Sequence, residues 1–247
     1  MATQTVARGP AEPGIRAKRK APFPIELYRS AVGKKYVMAI TGIMLIGFVV
    51  AHMVGNLKMY VGPSDFNEYA EFLRELLVPI LPRTVLLWVL RLGLIAAFAL
   101  HIHAAYSLTR MNQGARGVGY QSPRDYIAAN FASRTMRVSG IVVGLFIVWH
   151  LFDLSWTGTG YTFVRGLAYE NVVESLSRIW VAAIYIVGNL ALGLHLFHGI
   201  WSLFQSLGWN NPRFNAWRRN LAAGLTAIIV IGNISFPIAI LAGIVST

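Results

Sequence analysis

The chain has 247 residues, 55% of them hydrophobic and only 13% charged. A soluble domain carries about a quarter charged residues, and several apolar runs here exceed the roughly 20 residues that cross a bilayer as a helix, so the fold class is all-α, a polytopic membrane protein with five transmembrane helices. The net charge of +12 is gathered in loops between apolar runs, a topology signal rather than a nucleic-acid surface, and the absence of cysteine rules out disulfides and any metal site built only from this chain's thiolates.

Residues 1 to about 24 are rich in Pro, Gly and Ala and carry Arg16, Lys18, Arg19 and Lys20. No apolar core or small-residue cleavage site follows, so the segment reads as a flexible cytoplasmic tail rather than a signal peptide. The membrane domain then occupies residues 25–247. Ile25 to Lys35 reads as a short amphipathic lead-in on the inner surface. The first span is expected over about Tyr36 to Leu57, with small residues Thr41, Gly42, Gly47 and Gly55 for close helix approach and His52 late in it. A polar loop with Asp65, Glu68, Glu71 and Glu75 follows, where Asp65 can cap a short surface helix that ends before Pro79.

The second span starts after Pro82 and reaches about Leu108, with Arg91 near its beginning and His101 and His103 near its end. Thr109 to Arg137 is a loop with five arginines against a single acid, Asp125. The third span, about Val138 to Trp156, has His150 late and Asp153 one turn on. A short outer loop carries Tyr161, Arg165, Glu170 and Glu174. The fourth span, about Arg178 to Leu207, holds His195 and His198, and leads into Asn210, Asn211, Pro212, Arg213, Arg218 and Arg219. The fifth, about Leu221 to Ile244, has no histidine; Asn233 and Pro237 are its unusual residues, and it reads as a packing helix.

With the N-terminus inside, the inner segments hold eight, five and three of the 22 basic residues but only three of the ten acids, Glu12, Glu26 and Asp125. That asymmetry puts the N-terminus in the cytoplasm. It also gives each histidine a depth. His52 lies fifteen residues after Val37, and His150 fifteen after Thr135, so both are roughly 20 Å from the inner boundary. His103 is seven residues before Arg110 and His198 seven before Gln205, so both are about 10 Å from it.

Two helices thus supply outer histidines and two others supply inner ones. That is the arrangement expected for two metal or haem centres stacked in a four-helix cofactor-binding core, with axial side chains from facing helices. Glycines near them (Gly47, Gly55, Gly140, Gly144, Gly188, Gly193 and Gly199) make room for a flat macrocycle. Two axial imidazoles leave no open coordination position, which suits electron transfer. His101 and His103 lie about 200° apart on a helix, so only one can face a given cofactor. Either His195 or His198 could be the ligand while the other binds a propionate or a partner, and Arg91 could pair with a propionate or with an outer-loop Glu. The alternative for a single histidine is a hydrogen bond to a backbone carbonyl.

SAVGKKYVMAITGIMLIGFVVAHMVGNL (Ser30 to Leu57) and HLFHGIWSLFQSLGWNNP (His195 to Pro212) resemble the five-helix, single-subunit cytochrome b membrane anchors of succinate dehydrogenase and related fumarate reductases. The resemblance covers about Ser30 to the C-terminus. It implies a multi-pass subunit of the inner (cytoplasmic) membrane, docked to a flavoprotein and an iron–sulfur subunit, with a possible higher oligomer of the complex. Electrons from succinate would pass to a membrane quinone, menaquinone or ubiquinone, and no succinate-binding catalytic site is expected in this chain.

In dihaem members of the family the histidines of helices one and three share one haem b, and those of helices two and four the other. Carried over, these pairs are His52 with His150 and His103 with His195; His101 and His198 are further imidazoles in the inner layer. The alternative cofactor is a Rieske-like [2Fe–2S] cluster with cysteines borrowed from a partner subunit. A quinone needs an apolar slot with a few polar donors, for which Ser30, Tyr36, Ser139, Trp201, Ser202, Gln205 and Trp209 are candidates near the inner interface. Two other functions compete: a quinol-oxidising fumarate reductase anchor, and a cofactor-free, histidine-lined transporter or proton channel. The internal repeats common in transporters are not evident.

Overall fold

A computed structural model of the chain describes residues 22–115, 131–156, 158–209 and 211–247. Residues 1–21, which hold most of the expected tail, lie outside the described residues, as does the centre of the expected five-arginine loop, residues 116–130. Eight α-helices are present among the described residues, with no strand. They are α1 (Phe23–Arg29), α2 (Ala31–Asn56), α3 (Pro63–Phe72), α4 (Val85–Gly114), α5 (Phe131–Leu154), α6 (Ala168–Leu176), α7 (Ile179–Ser206) and α8 (Asn215–Leu241). Five of these, α2, α4, α5, α7 and α8, are long and apolar enough to cross a membrane, as the hydropathy predicts.

The expected lead-in helix is broken at Ser30. Its hydroxyl accepts from Gly33 N at 2.9 Å and so caps α2 rather than continuing α1. The helix after the first span starts at Pro63, not behind an Asp65 cap, because a proline fits the first helical position. Asp65 sits instead in the first turn, where a carboxylate complements the helix dipole, 3.6 Å from Lys58. The loop after the third span contains α6, which hydropathy alone does not reveal. Its buried Tyr169, Val173 and Leu176 recur at helical spacing on one face. The long helices α4 and α8 also run past the apolar stretches, α8 carrying Arg218 and Arg219 inside its first turns. Charge ends the hydropathy signal but not the backbone hydrogen bonding.

In sequence order the long helices alternate direction. Helix α2 packs on α4, α5 on α7, and α7 also on α8 and α2. This makes two helix pairs, α2 with α4 and α5 with α7, set side by side, with α8 closing the flank. Close approach depends on glycine: a Cβ at Gly188 would come within 2.4 Å of the Phe146 ring, and one at Gly193 within 2.7 Å of Val230. Helices α3 and α6 pack together across one end and share a core with α7 and α8, including Met59, Phe66, Tyr169, Val181 and Phe236. Nearer the α1 end a second cluster, Leu196, Ile200, Ala222 and Ile229, fills the seam between α7 and α8. Large apolar side chains such as Val89, Leu92 and Ile95 on α4 and Ile141, Leu145 and Val148 on α5 point outward, as a helix facing lipid requires.

Candidate functional site

Four of the six histidines meet in two pairs, each bridging the two helix pairs. His52 of α2 and His150 of α5 have ring centroids 5.9 Å apart at 77°. His101 of α4 and His195 of α7 have centroids 6.4 Å apart at 64°. The His52–His150 pair lies toward the α6 end and the His101–His195 pair toward the α1 end. The expected partner of His195, His103, is elsewhere. It is exposed, stacked on Tyr28 with centroids 5.8 Å apart, and its Nδ1 lies 2.5 Å from the Tyr28 hydroxyl. The physical reason is helical phase: two residues rotate the side chain by about 200°, so when His101 faces α7, His103 faces away. His198 is half-buried one turn below His195 on α7.

The ring nitrogens of His150 and His101 are set by hydroxyls whose protons are already committed. Tyr185 donates to Asp153 Oδ2 at 2.8 Å, and its oxygen lies 3.2 Å from His150 Nδ1. Thr41 donates to Val37 O at 2.7 Å, and its oxygen lies 3.1 Å from His101 Nδ1. Each hydroxyl can therefore only accept from the imidazole, so Nδ1 carries the hydrogen and Nε2 is bare. Among the described residues His195 is backed by no hydroxyl; the polar group nearest its ring is the Met136 backbone. In each helix pair a glycine of the neighbouring helix backs the ring. A Cβ at Gly140 would come within 3.2 Å of His195 Cε1, and one at Gly42 within 3.6 Å of His101 Cε1.

Among the described residues no three His, Asp or Glu side chains converge. Two imidazoles are too few to hold a bare metal ion, but a haem brings the in-plane ligands of its iron and asks the protein only for axial ones. Imidazoles bound at about 2 Å on opposite sides of one metal have ring centres roughly 6 Å apart. The observed separations and the bare Nε2 atoms of His101 and His150 fit such a group.

At the α6 end, Asp153 is fully buried. Ser175 donates to both its oxygens at 2.9 and 2.7 Å, Thr159 donates to Oδ1, and Arg178 Nη2 lies 3.3 Å away. Tyr161 donates to the Asp153 backbone carbonyl at 3.1 Å. Burial first, and then the Asp153 charge, push the Tyr161 phenol up to about 12 against the opposing pull of Arg178, so it stays a donor. Sequence alone does not reveal this cluster. The available signal was an acid at the end of one span and an arginine at the same end of the next.

The quinone candidates do not converge on one slot. The hydroxyls of Ser30, Ser139 and Ser202 donate to the carbonyls of Leu27, Met136 and Gly199, so their protons are committed to their own helices. Tyr36 and Gln205 are exposed. Trp201 lies under Arg218, with the guanidinium 4.9 Å from its ring. Trp209 lines a recess of about 370 Å³ with Phe204, Phe214, Trp217 and Arg218. Arg91 stands 5.1 Å over the Trp88 ring, while Glu71 is engaged by Arg74 at 2.8 Å and by Arg83.

The family of succinate dehydrogenase/fumarate reductase transmembrane subunits matches residues 126–234. The chain is also 25% identical over 171 residues, 69% of its own length and 77% of the other's, to the succinate dehydrogenase cytochrome b558 subunit of Bacillus subtilis (strain 168). Both findings support one family, the succinate dehydrogenase/fumarate reductase transmembrane subunits. The chain's five apolar helices agree with a multi-pass membrane subunit of this family. The matched region spans α5, α7 and most of α8 and so includes His150, His195 and His198. No solved structure matches the chain.

Proposed function

We propose that the chain is the electron-carrying membrane anchor of a succinate:quinone oxidoreductase. The observation that carries this reading is the pair of imidazole pairs, His52–His150 and His101–His195, stacked at two levels between two helix pairs. Each pair would hold one haem b, and the relative's printed name, a cytochrome b558, supports that cofactor. Haem supplies a one-electron redox centre. The protein's part is to hold His101 and His150 as the tautomer with Nε2 bare, to exclude water with apolar helices, and to set the two sites in series across the membrane.

The α1 end would face the cytoplasm and dock the iron–sulfur and flavoprotein subunits. The exposed Arg213 and Arg219 at that end, with no acid beside them in sequence, would complement an acidic soluble surface. Succinate oxidation releases two electrons, and a membrane quinone takes up two electrons and two protons. The aromatic recess around Trp209, at the α1 end, would take the quinone ring.

A reduced-minus-oxidised spectrum of the purified complex, with haem, iron and sulfide assays, tests the reading. A b-type α-band and two haems per anchor are expected. Iron and acid-labile sulfide beyond the soluble subunit's clusters, with no haem, would favour the borrowed-cysteine cluster, and no extra chromophore would point to the cofactor-free channel.

A further inference from the structure

The two imidazole pairs are backed differently. Behind His101 stands Thr41, whose proton goes to a neutral backbone carbonyl. Behind His150 stands Tyr185, whose proton goes to Asp153, a carboxylate with no solvent exposure. Asp153 is held in turn by Ser175, Thr159 and Arg178, so its position leaves Tyr185 one geometry. Tyr185 and His150 rings meet edge-on, with centroids 5.7 Å apart at 75°, and Phe146 flanks both at 5.4 Å and 6.1 Å.

We propose that Tyr185 and Asp153 are positioning residues for His150, fixing its tautomer and ring plane and lowering the reduction potential of the haem it holds. The proposal rests on the haem reading above. An imidazole whose N–H points through a hydroxyl to a carboxylate gains imidazolate character. A more basic axial ligand stabilises oxidised iron, and hydrogen bonding around the ligand is one of the protein's main controls on haem potential. A purely structural role for the same network, tying α5 to α6 and α7, predicts lost stability but no selective change in potential. The Thr41-backed pair serves as the internal reference, because it shares the tautomer logic without the carboxylate.

The test is a redox titration of the whole complex carrying Tyr185→Phe, followed at the α-band and by electron paramagnetic resonance. The haem held by His150 is the one missing from a His150→Ala complex. In Tyr185→Phe that haem should move to higher potential while the other keeps its midpoint. Asp153→Asn, which keeps the side-chain shape, should move the same haem in the same direction. Unchanged midpoints in both variants, or equal shifts of both haems, overturn the proposal. If the Tyr185→Phe complex does not assemble, Asp153→Asn is judged by the same criteria. A parent complex without b-type haem overturns this proposal together with the functional reading, whereas two haems that do not respond overturn this proposal alone.

Discussion

His101 and His195 face each other with ring centroids 6.4 Å apart, while His103, two residues further along α4, is bonded to Tyr28 on the opposite side of the helix. Helix phase, not chemistry, separates the two imidazoles. His101→Ala and His195→Ala should each remove the same haem, about half of the total by pyridine haemochrome assay of the purified complex. His103→Ala should retain both. Loss of a haem in His103→Ala with retention in His101→Ala would reverse the assignment.

His52 and His150 form the other pair, with centroids 5.9 Å apart. Alanine at either position should remove the haem that His101→Ala retains. Low-temperature spectra that resolve the two α-bands would decide this. Removal of the same component by His52→Ala and His101→Ala would contradict two separate sites.

The buried carboxylate of Asp153 is neutralised by Arg178, whose own side chain is partly exposed. Arg178→Ala leaves the carboxylate buried without its counter-charge and should cost about 3 kcal/mol of stability. Arg178→Lys should recover only part, since a point charge cannot also reach Thr159 O, to which Nη1 donates at 2.5 Å. Denaturant titration of the complex in detergent, with α5 and α7 reported by tryptophan fluorescence, gives the measurement.

Gly188 lets α7 approach Phe146 of α5 closely, with no room for a Cβ at 2.4 Å. Gly188→Ala should destabilise by about 1–3 kcal/mol through overpacking. Phe146→Leu in the same chain should return most of that loss, because it removes the ring atoms the new methyl meets. Additive losses in the double variant would mean that the two residues do not share the contact.

The N-terminus is expected inside and the C-terminus outside. The chain has no cysteine, so a single introduced cysteine is the one thiol that labels on this chain once it is purified. A Thr247→Cys variant should label with a membrane-impermeant maleimide in intact cells, and Lys35→Cys only after the inner face is opened. The reverse pattern would invert the orientation.

Five membrane helices, their order, and the depth of His52 and His150 were all legible in one dimension. Hydropathy sums over a span, and a helix advances by a constant rise per residue. Charge asymmetry likewise carried the expected orientation. What a linear reading lacks is azimuth. Whether His101 or His103 turns toward His195 depends on how α4 rotates against its neighbours, and that is set by its packing on α2, where Gly42 lies beside the His101 ring. The polar backing was hidden for a similar reason. Asp153 comes from α5, Ser175 from α6, and Tyr185 and Arg178 from α7 and its N-cap, and each alone reads as an ordinary polar residue near a span end. Residue type and spacing therefore determined that this protein threads a membrane with imidazoles at two levels. Only the tertiary structure decided which rings meet and which hydroxyls hold His101 and His150, because those depend on side-chain direction across helices distant in sequence.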